Sequence, residues 1–244
     1  MVKYKLTIQY LGTRYSGWQI QSNKLTVQGA IKDALLQLTG ETVSVVGAGR
    51  TDSGVHALGQ VAHIRLERKM EAARLQRALN GILPWDIRMV SVKSAPPEFH
   101  AQKSAIRKRY LYRIHNGPIL SPFLAGRVYQ VSHPLDLKAM SEAAGMILGR
   151  HDFKGFAAAA AKVKDHHRTV LASRLVGKGR DVRYVIEADG FLHHMVRNIV
   201  GTLLQIGSGK RSASDIIRIL ESRDRRNAGP TARAEGLYLV KVWY

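Results

Sequence analysis

Hydrophobic and polar positions alternate along KYKLTIQYL (3–11), which predicts a β-strand. The pattern then changes period. In TVQGAIKDALLQLTG (26–40), Val27, Ile31, Leu35 and Leu38 recur at helical spacing, and Gly40 stops the run. Strands are predicted again at 42–48 and 59–66, a helix at 71–84 and a strand at 86–95. This β-α-β-β-α-β order is the ferredoxin-like arrangement.

The second half repeats it. A strand is expected at 105–116, a short extra one at 127–132 and a helix at 136–149. Two strands, 169–179 and 182–190, flank a Gly-Lys-Gly turn. Helices follow at 191–207 and 212–224, and a strand closes the chain at 236–244. The reading is an α+β protein of two ferredoxin-like subdomains, 1–100 and 101–244, joined through a linker at 96–104 (PPEFHAQKS). Such a duplication implies a shared mixed or antiparallel sheet with a cleft between the copies. The AAAAA run at 157–161 reads as helix or loop filler.

Charge narrows the function. The 244 residues carry 38 Lys plus Arg against 18 Asp plus Glu, a net charge of +20. The excess is spread over both halves, so the folded surface itself is basic and suits a polyanion, most simply nucleic acid. No basic amphipathic helix marks a membrane surface. No apolar run approaches the roughly 18 residues needed to span a bilayer. The start, MVKYKLTIQY, turns polar too soon for a signal peptide, and cysteine is absent, so a cytoplasmic location is expected.

Several familiar motifs fail. GSGKRS (207–212) has Leu204 where a phosphate loop needs its first glycine, and GAGRTD has Asp52 where a dinucleotide fingerprint needs its third. The histidine pairs 166–167 and 193–194 lack the acids and spacing of a zinc site, so no metal is expected.

Three stretches remain that can carry chemistry. GAGRTDSGVHALGQ (47–60) sets Asp52 between Arg50 and His56 among four glycines. A turn explains the Thr-Asp-Ser-Gly string by itself. An acid at a cleft mouth can also be a nucleophile, a general base or an anchor, and a nearby arginine favours its charged form. In KRYLYR (108–113), Tyr110 and Tyr112 share one strand face between bases. They are either stacking platforms for nucleobases or core residues. In HHMVRNIVG (193–201), Arg197 sits at the edge of an apolar helical stripe, either snorkelling or buried against an acid such as Asp52.

Taken in order, YLGTRYSGWQ (10–19), GRTDSGVHALGQVAH (49–63), FHAQKSA (99–105), KRYLYRI (108–114), DFKGF (152–156), FLHHMVRNIVG (191–201) and AEGLYLV (234–240) resemble the successive motifs of the TruA family of tRNA pseudouridine synthases. The chain departs from that pattern at Ser53, at Gln102 where the family has Arg, and at Gly155 where it has Ser. The resemblance implies an enzyme that isomerises uridines 38, 39 and 40 of the tRNA anticodon arm, without metal or organic cofactor, as a homodimer. It implies Asp52 as catalytic carboxylate, with Arg197 as its partner and Arg50 filling the space of the flipped nucleotide. Tyr110 would lie under the base, Leu237 would form an apolar wall, and His56 would join the substrate-binding set. The competing reading is a non-catalytic protein with paired RNA-recognition modules, and a metal-dependent nuclease is disfavoured by the lack of clustered acids.

Overall fold

A computed structural model describes residues 1–158 and 163–244. Residues 159–161 of the alanine run lie outside the described residues. The chain divides into two units, Met1–Ile106 with Tyr238–Tyr244, and Arg107–Leu237. Its ladders are parallel as well as antiparallel and, among the described residues, five α-helices accompany them, which is an α+β fold.

In the first unit, β1 (Val2–Tyr10) buries Tyr4, Leu6, Ile8 and Tyr10 on one face, as the alternation predicts. Helix α1 (Val27–Thr39) starts where the Thr26 side chain accepts from Gly29 N, and ends at Gly40 with φ 72°. β2 is only Val46–Gly47, and β3 is His56–Leu66. α2 (Ala72–Ile82) and β4 (Ile87–Ser94) complete the predicted order. β1 pairs antiparallel with β3 on one side and β4 on the other. β2 pairs antiparallel with β3 at residues 62–63. The spatial order is therefore 4-1-3-2, that of a ferredoxin-like sheet.

Three expectations change. The predicted strand 42–48 shrinks to two paired residues. The chain there passes over Trp18, so closely that a Cβ on Gly47 would stand 2.7 Å from the indole. Residues 96–104 are not a linker: Phe99 and Ala101 are buried, Lys3 Nζ donates to Phe99 O at 2.8 Å, and Ala101 N donates to His63 Nδ1 at 3.1 Å. These long-range bonds tie the segment onto β1 and β3, and the first unit runs on to Ile106. Finally, in β10 (Leu237–Trp243), Tyr238 and Leu239 pair parallel with His56 and Ala57, and Tyr238–Tyr244 falls within the first unit.

In the second unit the antiparallel order is β5 (Arg107–Asn116), β9 (Asp181–Ala188), β8 (His167–Lys178) and β7 (Gly149–Asp152). β6 (Tyr129–Val131) pairs parallel with β5. β7 was not expected, because four residues with Gly and three polar side chains carry no strand signature. β8 and β9 close around the predicted glycine turn, where Gly179 has φ 59°. Helix α3 (Leu137–Gly145) is capped by Asp136, which accepts from Lys138 N and Ala139 N. Helix α4 (Met195–Gly207) begins four residues later than predicted, because His194 at φ 63° interrupts the helical path. α5 spans Asp215–Ser222. Among the described residues, no helix is long and apolar enough to cross a membrane.

Candidate active site

The first unit holds the Asp52 loop, residues 48–55, between β2 and β3. Asp52 is half-buried and Arg50 is exposed. Four bonds fix the loop backbone and its threonine. The buried Tyr10 hydroxyl lies 2.8 Å from Thr51 Oγ1, and Trp18 N donates to Thr51 O at 3.0 Å. Gly54 N donates to Tyr15 O at 3.3 Å, and Gln60 Nε2 donates to Gly49 O at 2.9 Å. Asp52 O accepts from Val55 N at 3.1 Å, and Gly54 has φ 79°, so the turn reading of Thr-Asp-Ser-Gly holds. The turn itself is the device that presents the carboxylate.

A second layer holds the first. Tyr15, which accepts the loop through its carbonyl, donates its hydroxyl to the buried Asp86 at 2.6 Å. Burial, reinforced by that carboxylate, raises the Tyr15 phenol, so it stays a donor. Burial likewise raises Tyr10. Gly17 must be glycine, because a Cβ would meet Thr51 O at 2.5 Å and its φ is 90°. His56 is fully buried, accepts from Gly12 N at 3.0 Å through Nδ1, and stacks on Tyr238 with ring centroids 4.6 Å apart. It braces the end of the loop. Tyr10, Tyr15, Trp18 and Asp86 were not singled out from the pattern, since only the fold brings residues 10–18 and 86 to residue 51.

The second unit holds the other candidates. Tyr110 is 8% exposed and meets Phe191 edge-on, centroids 4.9 Å apart. Tyr112 is fully buried and donates to Arg233 O at 2.7 Å, which makes it a core residue. Leu237 is buried at the start of β10. Arg197 is half-buried on α4, and its Nε donates to Ala232 O at 2.7 Å while Ala232 N donates to Arg197 O at 3.0 Å. This reciprocal pair holds Arg197 to Ala232 by its side-chain Nε and by its backbone carbonyl. A polar network that sequence reasoning missed supports it. The fully buried Asn198 donates to Phe156 O at 2.7 Å, and its Oδ1 accepts from Arg225 at 3.1 Å and from Thr231 at 2.7 Å. The departure at Gly155 has a local cause: a Cβ there would stand 2.6 Å from Ile219 O.

The arrangement offers a half-buried acid on a rigid glycine loop in one unit. In the other it offers an arginine aligned by backbone, and a buried tyrosine. A family model described as tRNA pseudouridine synthase matches residues 6–102 and 143–244. A tRNA pseudouridine synthase A of Acetivibrio thermocellus is 47% identical over 244 residues, 100% of both chains. One of Rhodospirillum centenum is 44% identical over 245 residues, again 100% of both. One of a Thermoanaerobacter species is 43% identical over 239 residues, 98% of each.

Proposed function

The chain belongs to the tRNA pseudouridine synthase family, and from that membership we propose that it isomerises uridine to pseudouridine at positions 38, 39 and 40 of the tRNA anticodon arm. The observation that carries the proposal is the Asp52 loop: its single carboxylate is presented by a turn whose backbone is bonded to Tyr15, Trp18 and Gln60.

The reaction breaks the N1–C1′ bond, rotates the base and joins C5 to C1′, and the proton at C5 is lost as one is gained at N1. It is redox-neutral, so acid–base and electrostatic groups of the protein suffice. The target base first leaves its stack, which costs a few kcal/mol. Basic surface that grips phosphate offsets this cost, as the net charge of +20 allows. Asp52 acts as the ionised catalytic carboxylate. Arg197 pairs with it and keeps it charged and aimed. Tyr110 lies against the base, and Arg50, exposed on the same loop, fills the gap left in the RNA. Leu237 supplies apolar wall. His56 acts at one remove, holding the loop through Gly12 and Tyr238. We assign the working form as a homodimer in the cytoplasm, by the family resemblance.

The test is tritium release. The protein is incubated, with metal chelated, with anticodon-arm RNA carrying tritium at uridine C5. Release of tritium supports isomerisation. Retention on intact RNA would leave a binding protein, and shortened RNA a nuclease.

A further inference from the structure

The second unit contains a cavity of about 440 Å³ lined by Lys154, Ala157, Ala158, His166, Arg223, Asp224 and Arg225. Its charges do not balance. Arg223 is matched by Asp152 at 3.3 Å, and Asp224 by Arg226 at 2.6 Å. That pairing, with the turn it caps, holds the Asp224 carboxyl down at about 2. Two cations remain. The exposed Lys154 forms no close salt bridge among the described residues, although its charge also favours the ionised Asp224. Arg225 is half-buried, and all its acceptors are neutral: Asn198 Oδ1 at 3.1 Å, Thr231 Oγ1 at 3.2 Å and Ala228 O at 3.3 Å.

A guanidinium that gives up water without gaining an anion is costly to hold, and burial lowers the Arg225 pKa accordingly. One phosphodiester would repay that cost. It carries a single negative charge on two oxygens, which suits a guanidinium fork and an ammonium together. His166 offers a further ring nitrogen at the wall. With Asp224 and the neighbouring Asp152 set against Lys154, Arg223 and Arg225, the cavity keeps a net excess of positive charge, and Arg226 adds to it from outside the lining.

We propose that this cavity is a phosphate subsite that holds the RNA backbone. The inference rests on the proposed function for its substrate, and on the cavity alone for its chemistry. Its position gives it a consequence. Ala158 N, on the cavity wall, donates to His193 O just ahead of α4, and Arg225 reaches Asn198, the neighbour of Arg197. A phosphate seated against Arg225 is thus linked through one side chain to the helix that carries the proposed catalytic arginine.

The experiment uses the whole protein, two probes and Lys154→Ala, a change at an exposed side chain that the fold does not use. Inorganic phosphate is titrated while the ring resonances of His166, assigned by their loss in His166→Gln, are followed by NMR. A saturable shift that weakens tenfold or more in Lys154→Ala is expected. Anticodon-arm RNA affinity is then measured against salt. Loss of one phosphate contact should flatten the log–log slope by about 0.7 to 0.9 in Lys154→Ala. A phosphate shift with an unchanged RNA slope would mean that a small free anion is the occupant, and the RNA assignment falls. A flattened slope without a phosphate shift supports the RNA strand as the sole source. Absence of both the phosphate shift and the flattened slope overturns the subsite altogether. Tritium release by the wild type reports separately: if it fails while the phosphate and slope effects stand, the isomerase reading is lost and the subsite is retained.

Discussion

The carbonyl oxygen of Pro230 stands 1.6 Å from the point that a Cβ on Gly201 would occupy. The 229–232 segment therefore crosses α4 backbone against backbone. It is bonded there by Gly229 N to Thr202 Oγ1 at 2.9 Å and by the Arg197–Ala232 pair. The glycine that follows Arg197 by one helical turn is what lets Ala232 hold the arginine by its side chain and its backbone carbonyl.

Gly201→Ala should accordingly force the segment off the helix. Overpacking of this kind costs about 1–3 kcal/mol. Calorimetry should show the melting temperature lowered by several degrees, and turnover should fall with it as Arg197 loses its anchor. A melting curve that overlays the wild type would show that the segment yields without cost.

Asp52→Asn should abolish tritium release while anticodon-arm affinity stays within a few-fold. The substitution removes the charge and keeps the shape of a half-buried side chain. Residual turnover near the wild-type level would end the role proposed for this carboxylate.

Arg197→Ala should lower kcat by more than it raises KM, because the cation proposed to aim the catalytic carboxylate is lost. Lysine at the same position should restore part of the turnover, since it brings back charge without the fork. Equal losses in the alanine and lysine variants would reduce Arg197 to a structural part.

Tyr10→Phe removes the hydroxyl that holds Thr51 and leaves the ring in the core. The lost bond is worth about 1 kcal/mol. The expected signature is a fall in kcat larger than any rise in KM, because the loop is loosened and not the RNA surface. The reverse pattern would place the Tyr10 bond outside catalysis.

His63 should make stability fall with acid. Burial, then the charges of His100, Lys3 and Arg65, press its folded pKa down from 6.5 to about 4. Between those values the unfolded chain binds a proton that the folded chain refuses, so stability rises with pH. The contribution is whole above pH 6.5 and is lost as the pH falls through about 4, where Ala101 N also loses its Nδ1 acceptor. It amounts to at most about 3 kcal/mol. Denaturant midpoints measured from pH 7 to pH 4 should decline less steeply in His63→Gln, and parallel declines would refute the assignment.

Most elements were legible in the sequence because their causes are local. Alternation marks β1, β5 and β9, and Thr26 with Gly40 bounds α1, since a strand face and a helix cap depend on residues within a few positions. The turn around Asp52 was readable for the same kind of reason, since Asp, Ser and Gly side chains set turn geometry locally. The tertiary structure decided whatever depends on a distant partner. β7 exists only because β8 offers it a ladder, and residues 96–104 pack because Lys3 and His63 reach them. Asn198, Arg225 and Thr231 meet because the 228–232 segment returns to α4. His56 lies buried against Gly12 and Tyr238, residues far from it in the chain. Side-chain pattern records which face of an element avoids water. Which groups then meet across that face is set by chain return over tens of residues, and no local pattern encodes it.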